Sequence, residues 1–82
     1  MKTCDLNKVR ERVRATAPDV RCTINISHDP QYLDVDLICN GMISVWADGE
    51  IEVDDSLRIP TRADRSIMRA ILDEVDRQDV TP

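Results

Sequence analysis

Residues 32–54 read YLDVDLICNGMISVWADGEIEVD, and this stretch decides the fold of the chain. Apolar and polar residues alternate within Tyr32–Cys39 and Glu50–Asp54, which is the pattern of strands that bury one face, and Met42–Ala47 is a mostly apolar run between them. Asn40-Gly41 and Asp48-Gly49 separate the three runs, and both dipeptides are typical of two-residue hairpin turns. The segment therefore predicts three consecutive strands of an antiparallel meander.

The sequence before this segment adds one helix and one strand. Val20–Ser27 alternates in the same way and is followed by a turn at residues 28–31, so it predicts a first strand. Apolar residues recur at helical spacing through Thr3–Ala17, which predicts a helix that ends before a proline.

The sequence after the meander predicts a second helix. It begins after Pro60, where Thr61 and Asp64 have the spacing of a capping box, and it ends near Gln78. The expected fold class is α+β, in the order α-β-β-β-β-α. We expect a two-layer sandwich with both helices on one face of the sheet, and a single domain over residues 1–82.

The turns also predict which side chains share a face of the sheet. The expected cross-strand pairs are Cys39 with Met42, Ala47 with Glu50, and Ser27 with Tyr32. The face toward the helices then consists of Val20, Cys22, Ile24, Ile26, Leu33, Val35, Leu37, Cys39, Met42, Trp46, Ile51 and Val53.

The face opposite the helices is expected to carry carboxylates on both sides of an apolar ridge. The carboxylates are Asp34, Asp36, Glu50, Glu52 and Asp54, and the ridge is formed by Ile38, Ile43 and Val45. A bulge could flip the third strand, and Met42 and Trp46 would then replace Ile43 and Val45 on this face. Either arrangement leaves apolar side chains beside the carboxylates.

Charge is strongly segregated along the chain. The net charge is −5, yet residues 1–28 hold six Lys and Arg against three Asp and Glu. Residues 29–56 hold eight Asp and Glu and no Lys or Arg. An acidic face of this kind favours a protein partner with a basic surface and weakens binding to the phosphates of nucleic acid.

No pattern in the chain indicates catalysis, a metal site or a cofactor. Asp34 and Asp36 are spaced ~6.7 Å apart along one strand, and the acidic column of the fourth strand lies ~9.6 Å away, too far for convergence on one ion. His28 lies in a turn, and both glycines belong to turns rather than to a phosphate loop. We therefore expect a non-enzymatic protein without a cofactor.

The cysteines and the apolar runs bear on localisation. Three cysteines at wide spacing fit neither a disulfide framework nor a metal-binding or redox pair, which indicates a reducing, cytoplasmic setting. No apolar run approaches the ~18 residues that cross a bilayer, so no membrane partner is expected.

The leading functional hypothesis is a small acidic protein-binding module that occupies a basic site on a larger protein. In size and charge the chain resembles the small acidic inhibitors carried by bacteriophages and mobile elements, which include nucleic-acid mimics and anti-CRISPR proteins. Arg65 and Arg69 lie toward the positive dipole end of the second helix, a placement that opposes the helix dipole. Pairing within the helix, as between Arg69 and Asp73, could compensate for it. The sharper expectation is that both arginines meet carboxylates of a partner or of a second subunit.

Three alternatives remain open at this point. The apolar ridge could be the interface of a homodimeric structural or regulatory subunit. The acidic face could serve only to keep the sheet soluble. The basic helices could bind nucleic acid, since the order of helix, strands and helix resembles the double-stranded-RNA-binding domain. That family's Gly-containing loop and basic cluster before the last helix have no counterpart in residues 59–64.

Overall fold

The computed structural model describes residues 4–37, 41–53 and 61–79, and its helices and strands follow the predicted order. The elements are α1 (Leu6–Thr16), β1 (Cys22–Asn25), β2 (Tyr32–Asp36), β3 (Met42–Trp46), β4 (Ile51–Val53) and α2 (Arg62–Asp79). The four strands form one antiparallel sheet in the order β1-β2-β3-β4. The predicted fold class is confirmed. Neither helix in the described part of the chain is long and apolar enough to cross a membrane.

Both helices begin at side chains that accept hydrogen bonds from backbone amides. Asp5 caps α1, and its carboxylate accepts from the amides of Asn7 and Lys8 at 3.1 and 3.4 Å. At α2, the Asp64 carboxylate accepts from the Thr61 amide and hydroxyl at 3.2 and 2.8 Å, and the Thr61 hydroxyl accepts from the Asp64 amide at 3.1 Å. This reciprocal pair is the predicted capping box.

The helices cover one face of the sheet, and the core lies between the two layers. Its members are almost all aliphatic: Cys4, Leu6, Val9, Val13, Val20, Leu33, Val35, Leu37, Ile43, Val45, Ile67, Ile71 and Val75. No aromatic side chain belongs to this set of described residues. The core is therefore formed by interdigitating branched side chains.

β3 pairs with both of its neighbours in a different register from the one predicted. Met42 lies opposite Asp36 rather than Cys39, and the Leu37 amide donates to the Gly41 carbonyl at 2.8 Å. The connection is therefore residues 38–40, which lie outside the described residues, and it contains three residues rather than the two expected of an Asn-Gly turn. When the loop length changes by an odd number of residues, the pairing register of the next strand also shifts by an odd number, and the side chains of that strand exchange faces.

The hairpin between β3 and β4 also has three residues in its connection. The Trp46 amide donates to the Glu50 carbonyl at 2.8 Å, and the Gly49 amide donates to the Trp46 carbonyl at 2.9 Å. Gly49 has φ +95°, a left-handed conformation that favours glycine. This is the geometry of a three-residue hairpin loop with a glycine bulge, and a second odd change restores the predicted faces of β4.

The prediction that Ile43 and Val45 form a ridge on the face opposite the helices is therefore wrong. Both side chains lie in the core, with 2% and 0% of their surface exposed, because β3 is flipped relative to a meander with two-residue turns. The second arrangement that the sequence allowed is the observed one. Met42 and Trp46 face away from the helices.

The first hairpin differs from its prediction without exchanging faces. Asn25 rather than Ser27 lies opposite Tyr32, so the connection spans residues 26–31 and is longer by an even number of residues. β1 ends at Asn25, whose side-chain oxygen accepts from the Ser27 amide and hydroxyl at 3.1 and 2.9 Å. Ile26 was predicted in the core, but it follows the strand and is 75% exposed.

Candidate protein-binding face

The sheet presents one face to the helices and leaves the other uncovered in the described part of the chain. We call this second face the open face, and we define it by the strand residues that point to it together with Glu50, which precedes β4. They are Thr23, Asn25, Tyr32, Asp34, Asp36, Met42, Ser44, Trp46, Glu50 and Glu52. Four of these residues carry carboxylates and none is a Lys or Arg. Arg21 immediately precedes β1 at the edge of the face, where its carbonyl accepts from the Asp36 amide.

The rings of the chain's single Trp, Tyr and His residues meet at one end of the open face. Tyr32 and Trp46 lie opposite each other on β2 and β3, and their ring centroids are 4.6 Å apart. The His28 ring comes from the preceding loop and packs edge-on against both, with centroid distances of 5.4 Å. These separations are those of rings in direct contact, so the three side chains form one aromatic cluster.

Hydrogen bonds fix the position of this aromatic cluster on the sheet. The Asn25 side-chain amide donates to the Tyr32 hydroxyl at 2.9 Å, across the β1–β2 pair. The His28 Nδ1 atom lies 3.1 Å from the Pro30 carbonyl oxygen, within the loop that carries the His28 ring. The phenol and the imidazole are therefore held from outside the cluster, and the indole of Trp46 packs against both rings.

The carboxylates lie in two columns on either side of β3. Asp34 and Asp36 come from β2, and Glu50 and Glu52 come from the β4 side of the sheet. Ser44 lies between Asp34 and Glu52 in the ladder, and its hydroxyl donates to the Asp34 carboxylate at 2.8 Å. Asp34 is half-buried, whereas Asp36, Glu50 and Glu52 are exposed. The middle of the face is thus a short polar row, and the aromatic cluster occupies one end.

The structure brings together some of the predicted site residues and separates others. Asp34, Asp36, Glu50 and Glu52 share the open face as predicted, while the predicted sites Ile38 and Asp54 lie outside the described residues. Ile43 and Val45 belong to the core, as shown above. Arg65 and Arg69 are exposed on α2, in the helical layer on the other side of the sheet. The two arginines therefore belong to a different surface from the four carboxylates.

Sequence reasoning missed the aromatic cluster because it placed Trp46 among the core residues. A signal against that placement exists in β3 itself, whose residues are Met42-Ile43-Ser44-Val45-Trp46. The register that buries Met42 and Trp46 also buries Ser44, whose hydroxyl would then need a partner in an apolar core. The opposite register buries two β-branched side chains, Ile43 and Val45, which are favoured in strands.

A second polar arrangement ties the two helices together. Glu74 is only 1% exposed on α2, and its carboxylate accepts from Arg77 at 2.7 Å and from the Gln78 amide at 2.9 Å. The Gln78 side chain also bonds the backbone of Asp5, accepting from its amide at 2.6 Å and donating to its carbonyl at 3.3 Å. The hydrogen bonds from Arg77, with a smaller contribution from Gln78, hold the pKa of Glu74 below its ordinary value of 4.5 although burial raises it.

The cleft beside the start of α1 has no activated nucleophile among its described residues. A cleft of about 430 Å³ lies between the start of α1 and β1, and the thiol in its lining is Cys4. Burial raises the pKa of Cys4, and the negative charges of Asp5 and Glu74 raise it further, so this thiol is protonated and a poor nucleophile. No group of three or more His, Cys, Asp or Glu side chains within residues 4–37, 41–53 and 61–79 could hold a metal ion.

Comparisons of the chain with protein-family models, with curated proteins and with solved structures give no match. The interpretation of the open face therefore depends on the chemistry of its own residues.

Proposed function

We propose that the chain is a non-enzymatic protein-binding module whose open face contacts a basic surface on a larger protein. The observation that carries this proposal is the placement of the aromatic side chains. The aliphatic core contains no aromatic residue among the described positions, while Trp46 and Tyr32 lie together on the open face beside four carboxylates. Trp and Tyr are enriched among the residues that dominate binding energy at protein interfaces.

The carboxylates determine the chemistry of the partner. Asp34, Asp36, Glu50 and Glu52 generate a negative potential over the face, which accelerates association with a positively charged surface and repels nucleic-acid phosphates and anionic lipid. Rim charges of this kind mainly change the association rate and the salt dependence, whereas the aromatic cluster supplies apolar contact area. A basic site on a protein would match both the negative potential and the apolar contact area of the open face. Such a site could be one that otherwise holds nucleic acid. The proposal therefore includes the class of acidic inhibitors that compete with nucleic acid.

The area of the open face limits how much of an interface it provides alone. Four strands at ~4.8 Å spacing and five residues at ~3.3 Å rise span roughly 300 Å². A standard stable interface buries about 800 Å² on each partner. The partner must therefore also contact the flanks of the sheet, among which the exposed Ile26 lies next to β1 and close in sequence to His28.

A second copy of this chain is the alternative occupant, because α1 presents exposed basic side chains in the other layer. Lys8, Arg12 and Arg14 are exposed there, with Glu11 among them. Contact between the open face of one copy and α1 of another would be heterologous rather than two-fold symmetric. The proposed setting is the cytoplasm, and the free thiols of Cys4 and Cys22 support a reducing compartment.

The test is affinity capture from a bacterial lysate with the wild-type chain and two charge-neutralised variants. The face variant carries Asp34→Asn, Asp36→Asn and Glu52→Gln. The matched control carries Glu11→Gln, Asp73→Asn and Asp76→Asn, which remove three exposed carboxylates from the helical layer. We expect a basic protein to be retained by the wild-type chain and the control, released by salt, and lost by the face variant.

Two results would contradict the proposal. Capture of the same protein by the face variant, with unchanged salt sensitivity, would show that the open face does not bind it. Sedimentation of the purified chain provides the second result. A self-associated species that disappears in the face variant but persists in the control would assign the open face to a second copy of the chain.

A further inference from the structure

The aromatic cluster on the open face is closed rather than hollow. Its three ring centroids are separated by 4.6, 5.4 and 5.4 Å, which are contact distances. An aromatic cage that encloses an ammonium group needs rings far enough apart to surround the ion, and these rings leave no such space. The cluster therefore presents an outer surface, which a partner group can cover but cannot enter.

Carboxylates lie beside this surface on both sides of β3, on β2 and on the β4 side of the sheet. Glu50 lies opposite Trp46, since the Trp46 amide donates to the Glu50 carbonyl at 2.8 Å. Asp34 and Glu52 both lie opposite Ser44, two residues from Trp46 along β3, so each is a diagonal neighbour of Trp46. Opposite and diagonal neighbours on one face have Cβ atoms roughly 5 and 7–8 Å apart. A cation stacked on Trp46 would lie within side-chain reach of all three carboxylates.

We infer that the partner anchors to this face through an arginine side chain whose guanidinium stacks on Trp46 and donates hydrogen bonds to the flanking carboxylates. This inference rests on the proposed function and names the chemistry of the partner at the aromatic cluster. A guanidinium is planar, so it can lie on a ring and still donate in its own plane to carboxylates at the side. A lysine ammonium is a compact and strongly hydrated charge, and it cannot make both contacts in that geometry.

The test compares two peptides that have the same charge and differ in the cationic group. Fluorescently labelled hexa-arginine and hexa-lysine are titrated with the wild-type chain, and binding is followed by anisotropy. A cation on an aromatic ring at an exposed site contributes about 0.5–1 kcal/mol, and only the planar guanidinium keeps its in-plane hydrogen bonds to carboxylates while it stacks, so we expect hexa-arginine to bind up to about five-fold more tightly. Trp46 is the single Trp of the chain, and unlabelled hexa-arginine should change its fluorescence more than hexa-lysine does at equal occupancy.

Substitution of Trp46 separates stacking from simple charge attraction. In Trp46→Leu the preference for hexa-arginine should fall to about one-fold, while both peptides still bind in a salt-sensitive manner through the carboxylates. Trp46→Tyr keeps a ring and should keep part of the preference. Leu72→Ala is the matched control, because Leu72 is 47% exposed on α2 and its loss should leave the preference unchanged. Circular dichroism of each variant checks that the fold is retained.

The outcomes distinguish failure of this inference from failure of the proposed function. Equal affinity of the wild-type chain for both peptides, lost in the Asp34→Asn, Asp36→Asn, Glu52→Gln variant, would overturn the arginine anchor and leave a basic partner. A preference that persists in Trp46→Leu would also overturn it, since the arginine would then bind elsewhere. Absence of binding by both peptides at 0.01 M salt, where the Debye length is about 30 Å, would overturn both proposals.

Discussion

Substitution of Ile43 and of Met42 by alanine tests the register of β3, on which the whole open face depends. The two residues are neighbours on one strand and point to opposite faces of the sheet. Ile43 is 2% exposed in the core, and Ile43→Ala removes three carbon atoms from it. At ~0.8 kcal/mol per buried methylene, the transfer term alone is about 2.4 kcal/mol. The cavity left behind adds to this transfer term, so the expected loss lies above it and within the range of about 2–5 kcal/mol typical of such substitutions.

That loss is large relative to the stability expected of a chain this size. An 82-residue domain at about 0.05–0.15 kcal/mol per residue has a free energy of unfolding of about 4–12 kcal/mol. Ile43→Ala should therefore lower the Tm by at least about 8 °C, at the 4–8 °C per kcal/mol typical of domains of 60–100 residues. Met42 is half-buried on the open face, and Met42→Ala should cost about 1 kcal/mol or less.

Urea unfolding followed by circular dichroism measures both losses under the same conditions. The m-values of the two variants must agree for the comparison to reflect stability rather than a change in the unfolded state. A larger loss in Met42→Ala than in Ile43→Ala would refute the observed register and restore the predicted one. The same result would return Trp46 to the core and remove the basis of the proposed binding face.

Three further predictions concern the loop between β3 and β4 and the second helix. Gly49→Ala should destabilise the chain by about 1–2 kcal/mol in urea unfolding, because Gly49 has the left-handed φ of +95°. An added Cβ would have no atom within 4 Å, so the cost comes from the backbone conformation and not from a steric clash. A neutral result would contradict a left-handed Gly49. Thr61→Ala should cost about 0.5–2 kcal/mol, since it removes the hydroxyl that accepts from the Asp64 amide at the start of α2; an unchanged Tm would contradict this cap. Glu74→Gln should destabilise the chain at neutral pH. Because the pKa of folded Glu74 is lowered, its ionised form contributes stability above about pH 4.5, and this stability is lost as the pH falls through the folded-state pKa. The Tm difference between the wild-type chain and Glu74→Gln should therefore shrink in acid. A Tm difference that does not change with pH would contradict a stabilising ionised Glu74.

The order of elements could be predicted from the sequence because each element carries its own local signal. Thr61 and Asp64 mark the start of α2 by their spacing, and the structure shows the reciprocal hydrogen bonds that this spacing predicts. Alternation of apolar and polar residues identified β1, β2 and β4, and the Asn40-Gly41 and Asp48-Gly49 dipeptides marked the two ends of β3. The sheet order follows from short connections between the strands. These signals depend on residues close together in the chain, which is why they survive without knowledge of tertiary contacts.

The register of β3 could not be predicted from the turn dipeptides alone. A glycine with positive φ is required by a two-residue type I′ turn and also by a three-residue loop with a glycine bulge. Asp48-Gly49 is compatible with both, and the structure has the longer loop. The two loops differ in which face of β3 they bury. The two-residue turn would bury Ser44, whose hydroxyl would need a partner in an apolar core, so the three-residue loop is favoured.

The placement of the aromatic residues links the stability of this fold to its proposed function. Burial of a Trp or Tyr removes about 150–250 Å² from water, which at 25 cal/mol per Å² corresponds to roughly 4–6 kcal/mol. That is comparable to the entire free energy of unfolding expected for the domain. The core is nevertheless made almost entirely of Val, Leu and Ile side chains, and Trp46 and Tyr32 remain half-buried on the open face. A partner that covers these rings completes their burial and binds only the folded chain. Such a partner would raise the stability of the domain by mass action, and the proposed binding would then be thermodynamically coupled to folding through this one surface.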